Sequence, residues 1–257
     1  MPYGTFGHVI IAFALATVRI TCALQHCPPF SNGVFTGIAR RATVIVLSLP
    51  LVPPLLSRLQ PFPDGTTLLW MMLREAVIGC VFGFLASVPF RIGEMAGNAI
   101  DNQRGATMGE VFSPMSGALE APTATFLVQF LVAVFYASGA VLLLLSALYR
   151  SYALFPLGAD PLHFASDLPQ RILGLGDTLM HRALMLAAPA LLVMVLATVG
   201  LGIVNRSAPQ LNVFFLSMPV KSALGLLVLL LALPFMMEVI FDGAFALLHR
   251  VLAVWLR

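Results

Sequence analysis

The chain has 257 residues, of which 60% are apolar and 10% are charged, and its formal net charge is +3 at pH 7. A soluble domain carries about a quarter charged residues, so this composition indicates an integral membrane protein. The basic residues are scattered singly, apart from Arg40-Arg41, which argues against the clustered basic face that binds nucleic acid.

The first apolar block runs from Val9 to Leu24 and is interrupted only by Arg19. No positively charged segment precedes it, so we expect it to be retained rather than cleaved as a signal peptide. The next block, Ala42 to Leu56, contains three prolines and as a helix would reach only about 22 Å. A hydrocarbon core is about 30 Å thick, so this block is predicted to be too short to span it alone. Leu68 to Phe90 is long enough, and its Gly79-x-x-x-Gly83 spacing predicts a small-residue packing face within the bundle.

A polar stretch from Arg91 to Glu120 follows. It carries six charges, namely Arg91, Glu94, Asp101, Arg104, Glu110 and Glu120. Six charges facing lipid would cost on the order of 15–20 kcal/mol, so the stretch is predicted to face water, a partner or the interior of an assembly. Its first part is predicted to be a helix whose polar side carries Arg91, Glu94, Asn98, Asp101 and Gly105.

Beyond Gly109 the helical pattern ends, and Phe112 to Gly117 is predicted to be a loop because it contains a proline and a glycine. Phe112 and Met115 are unusual in a polar loop. The residues leave two interpretations open: a polar hairpin that caps a membrane bundle with these side chains tucked underneath, which composition favours, or a loop that blocks an opening.

Four further segments complete the chain. The longest uncharged run, Ala121 to Tyr149, is the best single spanning helix by length. Ser151 to Thr178 is predicted to be a polar connector broken by prolines and glycines. Ala183 to Val204, with Pro189 as a kink, and Ser222 to Phe241 are two further spans, and an amphipathic tail ends at Arg257.

These segments predict one all-α domain over residues 1–257, a multi-helix membrane protein with short and broken helices. The arginines do not sort into alternate loops, so the positive-inside rule gives no orientation. Because several helices are too short, too broken or too charged for a plain bundle in lipid, we expect much of the apolar surface to be buried against other protein chains.

No catalytic or nucleotide-binding motif is present, and the five histidines lack metal-ligand spacing. Three cysteines without a C-x-x-C pair argue against a disulfide scaffold or a zinc site. The sequence therefore predicts a protein that is not an enzyme and has no cofactor, no metal site and no catalytic residues.

Four ionisable residues lie within apolar blocks: Arg19, Arg74, Glu75 and Glu238. Such residues suggest a proton relay. The favoured alternative is that they form inter-chain ion pairs or lie at helix ends, because the neighbours Arg74 and Glu75 should point to different sides of a helix.

Asn205 to Lys221 separates the last two spans, with Ser207-Ala208-Pro209 ending one helix and Pro219 starting the next. Its A-P-Q-L-N-V-F run, followed by P-x-K, resembles the signature of the SctT/FliR family of type III secretion export apparatus. Gly105 to Gly117 resembles the M-G-x-x-F-x-P-x-S-G segment of that family, and Arg150 to Gly158 resembles its R-S-x-x-x-x-P-L-G segment. The three motifs occur in the family's order along the whole chain.

This resemblance implies a subunit of a helical hetero-oligomeric export gate, through which unfolded protein substrates cross the bacterial inner membrane. The implied partners are SctR/FliP-like, SctS/FliQ-like and SctU/FlhB-like proteins, the secreted substrates and membrane lipid, but no nucleic acid. A multi-pass inner-membrane location is implied, with part of the assembly on the periplasmic side. The injectisome branch is favoured over the flagellar one.

The resemblance also implies site residues. A loop acting as a pore plug corresponds to Met108, Gly109, Glu110, Val111, Phe112, Ser113, Pro114, Met115, Ser116 and Gly117. A partner interface corresponds to Pro209, Gln210, Leu211, Asn212, Pro219 and Lys221. The polar residues Glu94, Asn98, Asp101 and Arg104 are expected to face the pore or an interface.

A second hypothesis is a secondary transporter or ion channel that acts alone, with Glu75, Asp101 and Arg104 on its ion pathway. A transporter should be stable and active as a lone chain or homo-oligomer, whereas a gate subunit should depend on different partner chains. A third, an intramembrane enzyme, is disfavoured by the absent motifs.

Overall fold

The structure, a computed structural model, describes residues 2–31, 34–57, 59, 63–105, 111–112, 119–156, 168–207 and 216–236. The helices are α1 (Pro2–Gln25), α2 (Gly37–Ser48), α3 (Val52–Leu56), α4 (Gly65–Arg104), α5 (Pro122–Ala137), α6 (Ala140–Leu154), α7 (Leu168–Ser207) and α8 (Leu216–Met236), with 3-10 turns at Pro28–Phe30 and Leu49–Leu51. Two short antiparallel strands, β1 (Val111–Phe112) and β2 (Leu119–Glu120), pair Val111 with Glu120 and Phe112 with Leu119. The all-α class is confirmed.

Among the described residues, five segments are long and apolar enough to cross a membrane, or six if α5 and α6 together form one bent span. One of them, Gly37–Leu56, has 20 residues and combines α2, Leu49–Leu51 and α3. The block Ala42 to Leu56, predicted to be too short to span alone, is part of a longer apolar segment that begins upstream at Gly37 and takes in Arg40-Arg41. The prolines do not interrupt it because they lie in the first positions of short helical turns, where no backbone N–H is needed.

The run Ala121 to Tyr149, predicted as the best single span by length, is not one straight helix. Helices α5 and α6 meet at an 80° bend. Gly139 lies at this bend with a φ of +71°, a left-handed conformation that glycine adopts without steric cost. The longest uncharged run is thus two helices and not one.

Two helix ends differ from those predicted. Helix α7 begins at Leu168, inside the predicted connector, because a proline in the first turn is compatible with a helix and isolated glycines only weaken one. Helix α4 ends at Arg104, and Gly105 follows it with a φ of +77°. The predicted end of α7 at Ser207 is confirmed. The described part of α8 includes Leu216, three residues before Pro219, so Pro219 does not start that helix.

The described residues form two compact units. One comprises those within 1–87 and 134–156, and the other those within 88–133 and 168–236. The expectation that residues 1–257 form one domain stays a prediction.

The core of the first unit lies along α1. Its fully buried apolar residues recur at helical spacing: Ala12, Leu15, Ala16, Ile20, Ala23 and Leu24. A methyl group at Gly79 or Gly83 of α4 would overlap the backbone of Arg19 or Ala23 in α1. The predicted small-residue packing face is therefore confirmed as a close contact within the chain.

In the second unit, α5 packs against the later turns of α4. A methyl group at Gly97 would overlap the backbone of Ala124, and one at Gly93 would overlap the side chain of Leu131. On α8, Gly225 lies against the side chain of Met194 of α7. Glycine spacing thus sets where the backbones of α4 and α5 approach most closely.

Candidate functional site

The last turns of α4 have one exposed side. Arg91, Asn98 and Asn102 are exposed, and Glu94, which lies between them, has 42% of its side chain exposed. Nη1 of Arg91 lies 3.0 Å from Oε2 of Glu94. Glu94 and Asn98 are therefore positioned to face water or a partner chain.

Asp101 does not belong to that side. It lies four and eight residues after Gly97 and Gly93, on the buried ridge that faces α5, and it is 1% exposed. The prediction that Asp101 continues the polar side of the helix was wrong. The sequence could have indicated this, because Asp101 follows Gly97 and Gly93 at spacings of four and eight residues, and positions four apart lie on one ridge of a helix.

The Asp101 carboxylate contacts the first turn of α5. Its Oδ2 accepts hydrogen bonds from the backbone N–H of Thr123 at 2.8 Å and of Ala124 at 3.4 Å. Its Oδ1 lies 2.6 Å from Nη2 of Arg104, one turn further along α4. We call these four residues, Asp101, Arg104, Thr123 and Ala124, the clasp.

The local sequence explains why α5 needs an acceptor from elsewhere. The first N–H groups of a helix have no intrahelical partner and are usually capped by a preceding Ser, Thr, Asp or Asn. Here Ala121 precedes Pro122, and alanine offers no side-chain acceptor. Asp101 supplies the missing acceptor from 22 residues earlier in the chain, and its negative charge is favourable at the positive end of the α5 dipole.

The hydrogen bonding of the clasp is incomplete. Among the residues that the structure describes, Nε of Arg104 and Oγ1 of Thr123 are buried without a hydrogen-bond partner. Oδ1 of Asp101 is in charge contact with Arg104, but the contact lacks hydrogen-bond geometry. Because buried polar groups without partners cost free energy, the clasp is less stable than a fully satisfied network would be.

The clasp joins both ends of the segment that contains the predicted plug loop. Within Met108–Gly117, Val111 and Phe112 form β1, while Met108, Gly109, Glu110, Ser113, Pro114, Met115, Ser116 and Gly117 lie outside the described residues. Next to Arg104, a Cβ at Gly105 would lie 3.8 Å from Cε of Met218 in α8. The start of α8 therefore lies against the beginning of this segment.

The predicted partner-interface motif is described only in part. Pro219 is exposed and Lys221 is half-buried in the first turns of α8. Pro209, Gln210, Leu211 and Asn212 lie outside the described residues, as does Glu238.

A second buried charge cluster lies in the first unit. Nε and Nη2 of Arg19 donate to the two carboxylate oxygens of Glu75 at 2.6 and 2.8 Å, and both side chains are 0% exposed. Nη1 of Arg19 donates to Oγ of Ser151, and Nη2 to the carbonyl of Phe155. The Tyr152 ring lies under the guanidinium at 4.0 Å, so the cluster ties α1, α4 and α6 together.

For Arg19 and Glu75, the favoured expectation of inter-chain ion pairs or positions at helix ends was therefore wrong, because the two residues pair within one chain. For Glu238 it stays a prediction. Arg74 also reaches the cluster, with Nη1 at 3.8 Å from Oε1 of Glu75 and bonded to the carbonyl of Pro156. Long arginine side chains can bend back toward a neighbour, so adjacency did not separate Arg74 from Glu75. Sequence reasoning identified the charges but had no signal for the pairing, which spans 56 residues.

Among the described residues, no group of three His, Cys, Asp or Glu side chains is placed to hold a metal ion. The three cysteines are free. Cys27, just beyond the end of α1, is buried, and burial raises the pKa of its thiol to about 12.

The described chain is thus a helical protein of the multi-pass membrane class: five apolar segments are long enough to span, and its most buried charges are paired inside the fold. The sequence model of the family "Bacterial export proteins, family 1" matches residues 10–246. The chain belongs to this family, which is the SctT/FliR family of type III export proteins.

Three relatives illustrate the similarity. The secretion system apparatus protein SsaT of Salmonella typhimurium is 37% identical, over 88% of each chain. The surface presentation of antigens protein SpaR of the same organism is 32% identical over 89% of this chain and 85% of SpaR. The flagellar biosynthetic protein FliR of Pectobacterium carotovorum is 26% identical over 91% of this chain and 90% of FliR. The chain is therefore a multi-pass membrane component of a bacterial export apparatus.

Proposed function

We propose that this chain is a subunit of a type III secretion export gate and helps to form the pore through which unfolded protein substrates cross the bacterial inner membrane. The observation that carries the proposal is the family match over residues 10–246. The identities of 37% and 32% to SsaT and SpaR exceed the 26% to FliR. This difference favours the injectisome branch.

The loop Met108–Gly117 acts as the plug of the closed pore. Its apolar side chains belong to Met108, Val111, Phe112 and Met115, and a hydrophobic constriction blocks water and ions by dewetting. Methionine adapts its shape to an irregular opening. The described residues at both ends of the segment that carries the loop are held together, by the clasp and by the β1–β2 pair.

The gate is completed by SctR/FliP-like, SctS/FliQ-like and SctU/FlhB-like subunits. The described helices leave large apolar side chains exposed, for example Leu192, Leu196 and Ile203 on α7 and Leu227, Leu231 and Phe235 on α8. Such surfaces need lipid or other apolar helices to cover them. Glu94, Asn98, Pro219 and Lys221 are polar or exposed positions available to face the pore or a partner.

The first test is native mass spectrometry of the chain, purified with and without its co-expressed genomic neighbours. We expect a defined hetero-oligomer that contains one copy of this chain. A stable lone monomer or homodimer, unaffected by the neighbours, would contradict the gate. In the same preparation, Lys221→Glu is expected to reduce the yield of the complex, because a reversed charge at a desolvated interface is costly.

The plug is tested by deleting Val111–Met115 in the assembled complex. We expect assembly to persist and the membrane to leak small ions. A deletion that changes neither ion flux nor secretion would contradict the plug assignment.

No observation favours the stand-alone transporter. Its ion-pathway residues Glu75, Asp101 and Arg104 each make an ion pair within the fold. The export gate therefore remains the better supported proposal.

A further inference from the structure

We infer that Arg74 is the docking point for a carboxylate of a partner subunit, supplied by an Asp or Glu side chain on a neighbouring membrane helix. The inference rests on the proposed hetero-oligomeric gate. It goes further, because it assigns one buried residue of this chain to the assembly contact and gives the chemistry of the group that meets it.

The charge balance around Arg74 gives the first step. Arg19 and Glu75 neutralise each other through two short hydrogen bonds. Nη1 of Arg74 lies 3.8 Å from Oε1 of Glu75, an oxygen that already accepts from Arg19. Among the described residues, no other carboxylate forms an ion pair with Arg74. The cluster therefore combines two guanidinium groups with one carboxylate and keeps one excess positive charge inside the fold.

The hydrogen bonding of Arg74 is also incomplete. Its side chain is 9% exposed, and its Nη1 donates to the carbonyl of Pro156 at 2.8 Å. Within the part of the chain that the structure describes, its Nε is buried and has no hydrogen-bond partner. A guanidinium carries five N–H donors, and a buried charge that is not fully paired is costly. The chain thus leaves Arg74 with a charge and donors that a further anion would satisfy.

The surroundings of Arg74 favour a protein as the source of that anion. Trp70 lies one turn earlier on the same side of α4, and both Trp70 and Pro156 are exposed. Tryptophan and arginine are enriched at the centres of protein interfaces, where apolar contacts exclude water from a charged contact. The exposed remainder of Arg74 therefore borders apolar side chains that a second helix can cover.

Depth in the membrane favours a carboxylate over a lipid phosphate. Arg74 lies six residues inside the apolar block that begins at Leu68, a distance of about 9 Å along a helix. Lipid phosphates lie outside the hydrocarbon core, whereas the Arg74 guanidinium is bonded within the protein to Pro156. An acidic side chain on a partner's membrane helix needs a buried cation, and its two oxygens match the planar guanidinium. The two charges are therefore complementary.

The experiment measures the yield of the hetero-oligomer per membrane-inserted chain for wild type, Arg74→Gln and Arg74→Lys. Native mass spectrometry gives the complex, and an immunoblot of membranes gives the inserted chain, with and without the co-expressed neighbours. We expect Arg74→Gln to lower the yield of complex at least about tenfold, because the partner carboxylate is left buried without its cation. Arg74→Lys keeps the charge and should recover part of this loss. Without neighbours, equal amounts of all three chains should reach the membrane.

The matched control is Arg41→Gln, which removes one positive charge from an exposed position of α2. We expect its yield of complex to equal that of wild type. An equal fall for Arg41→Gln would show that net charge governs assembly. A fall in the inserted amount of Arg74→Gln that accounts for its lost complex would show that Arg74 only supports the fold. Either result would overturn the inference.

A charge reversal identifies the group that meets Arg74. Arg74→Glu should abolish the complex, and selection for restored secretion should yield changes from Asp or Glu to Lys or Arg in a membrane helix of a neighbour. Suppressors at an acidic residue of this chain would make the counter-ion internal and overturn the inference. So would a yield of wild-type complex that rises with added phosphatidylglycerol while that of Arg74→Gln does not, because the anion would then be a lipid phosphate.

The outcomes separate the two proposals. If wild type forms no hetero-oligomer with its neighbours, the gate itself is wrong and the docking role falls with it. If wild type and Arg74→Gln assemble equally well, the gate stands and the docking role of Arg74 is wrong.

Discussion

Helix α4 carries the buried acids of two acid–arginine pairs, and the pairs differ in how many hydrogen bonds they make. The Arg19–Glu75 pair uses both carboxylate oxygens, has further bonds to Ser151 and Phe155, and is 0% exposed. In the clasp, Asp101 shares its oxygens between Arg104 and the backbone of α5. Among the described residues, Nε of Arg104 and Oγ1 of Thr123 have no hydrogen-bond partner there, and beside the first pair the same holds for Nε of Arg74.

This difference indicates two kinds of buried charge. A bidentate pair with further hydrogen bonds fixes the relative positions of the elements it joins, here α1, α4 and α6. A partly satisfied pair binds more weakly, and this one lies where a loop leaves and re-enters the helices. Burial of a charge alone therefore does not reveal how completely its hydrogen-bonding groups are satisfied.

The largest expected effect comes from breaking the Arg19–Glu75 pair. Arg19→Met removes both strong hydrogen bonds to the buried Glu75 carboxylate and leaves it only the 3.8 Å contact with Arg74, a loss of up to about 3–5 kcal/mol. We expect a large fall in the unfolding temperature of the detergent-solubilised chain, measured by a thermal shift assay.

The paired replacement Arg19→Met with Glu75→Leu is the control, because it removes both charges of the pair and leaves Arg74 bonded to the carbonyl of Pro156. It should recover most of the lost stability. If the single and double replacements destabilise equally, the pair is not the cause.

A smaller effect is expected where α4 and α5 approach closely. Gly97→Ala places a methyl group against the Ala124 backbone, and overpacking of this kind costs about 1–3 kcal/mol. Gly200→Ala in α7, where nothing lies within 4 Å, is the matched control and should be neutral or stabilising. Equal unfolding temperatures for the two variants would argue against the close approach that positions the clasp.

A substitution in the clasp can also raise the stability of the chain. Thr123→Val removes a buried hydroxyl that has no partner and keeps the side-chain shape, so we expect a gain of up to about 1 kcal/mol. Thr125→Val, one turn into α5, is a contrasting variant, because its hydroxyl donates to the carbonyl of Ala121. A loss of stability in Thr123→Val would show that its hydroxyl has a partner.

The smallest effect concerns Cys27, which reports on burial in the first unit. With its thiol pKa raised to about 12, the reactive thiolate is scarce at neutral pH. In a Cys22→Ser/Cys80→Ser chain, the alkylation rate should still rise about tenfold per pH unit between pH 8 and 10. A rate that levels off near pH 9 would indicate an ordinary, exposed thiol.

The sequence predicted the class of protein well, because apolar composition and run length are local properties. It also predicted the packing role of Gly79 and Gly83, since four-residue spacing maps directly onto a helix surface. The predicted helix bounds were wrong at Leu49–Leu56 and Leu168, because the sequence does not distinguish a proline in a first helical turn from one that ends a helix. The 80° bend at Gly139 was missed because a left-handed glycine has no distinct signature within an apolar run.

By itself, the sequence determined that this is an all-α membrane protein of the SctT/FliR family, because the composition and the order of the motifs are properties of the sequence and do not depend on how the helices pack. Only the tertiary structure decided the partners of its buried charges. Arg19 pairs with Glu75 across 56 residues, and Asp101 bonds Thr123 across 22. Contacts at such separations depend on how the helices pack. The same packing decides whether a polar side chain of a helix lies on its buried ridge, as Asp101 does, or on its exposed side.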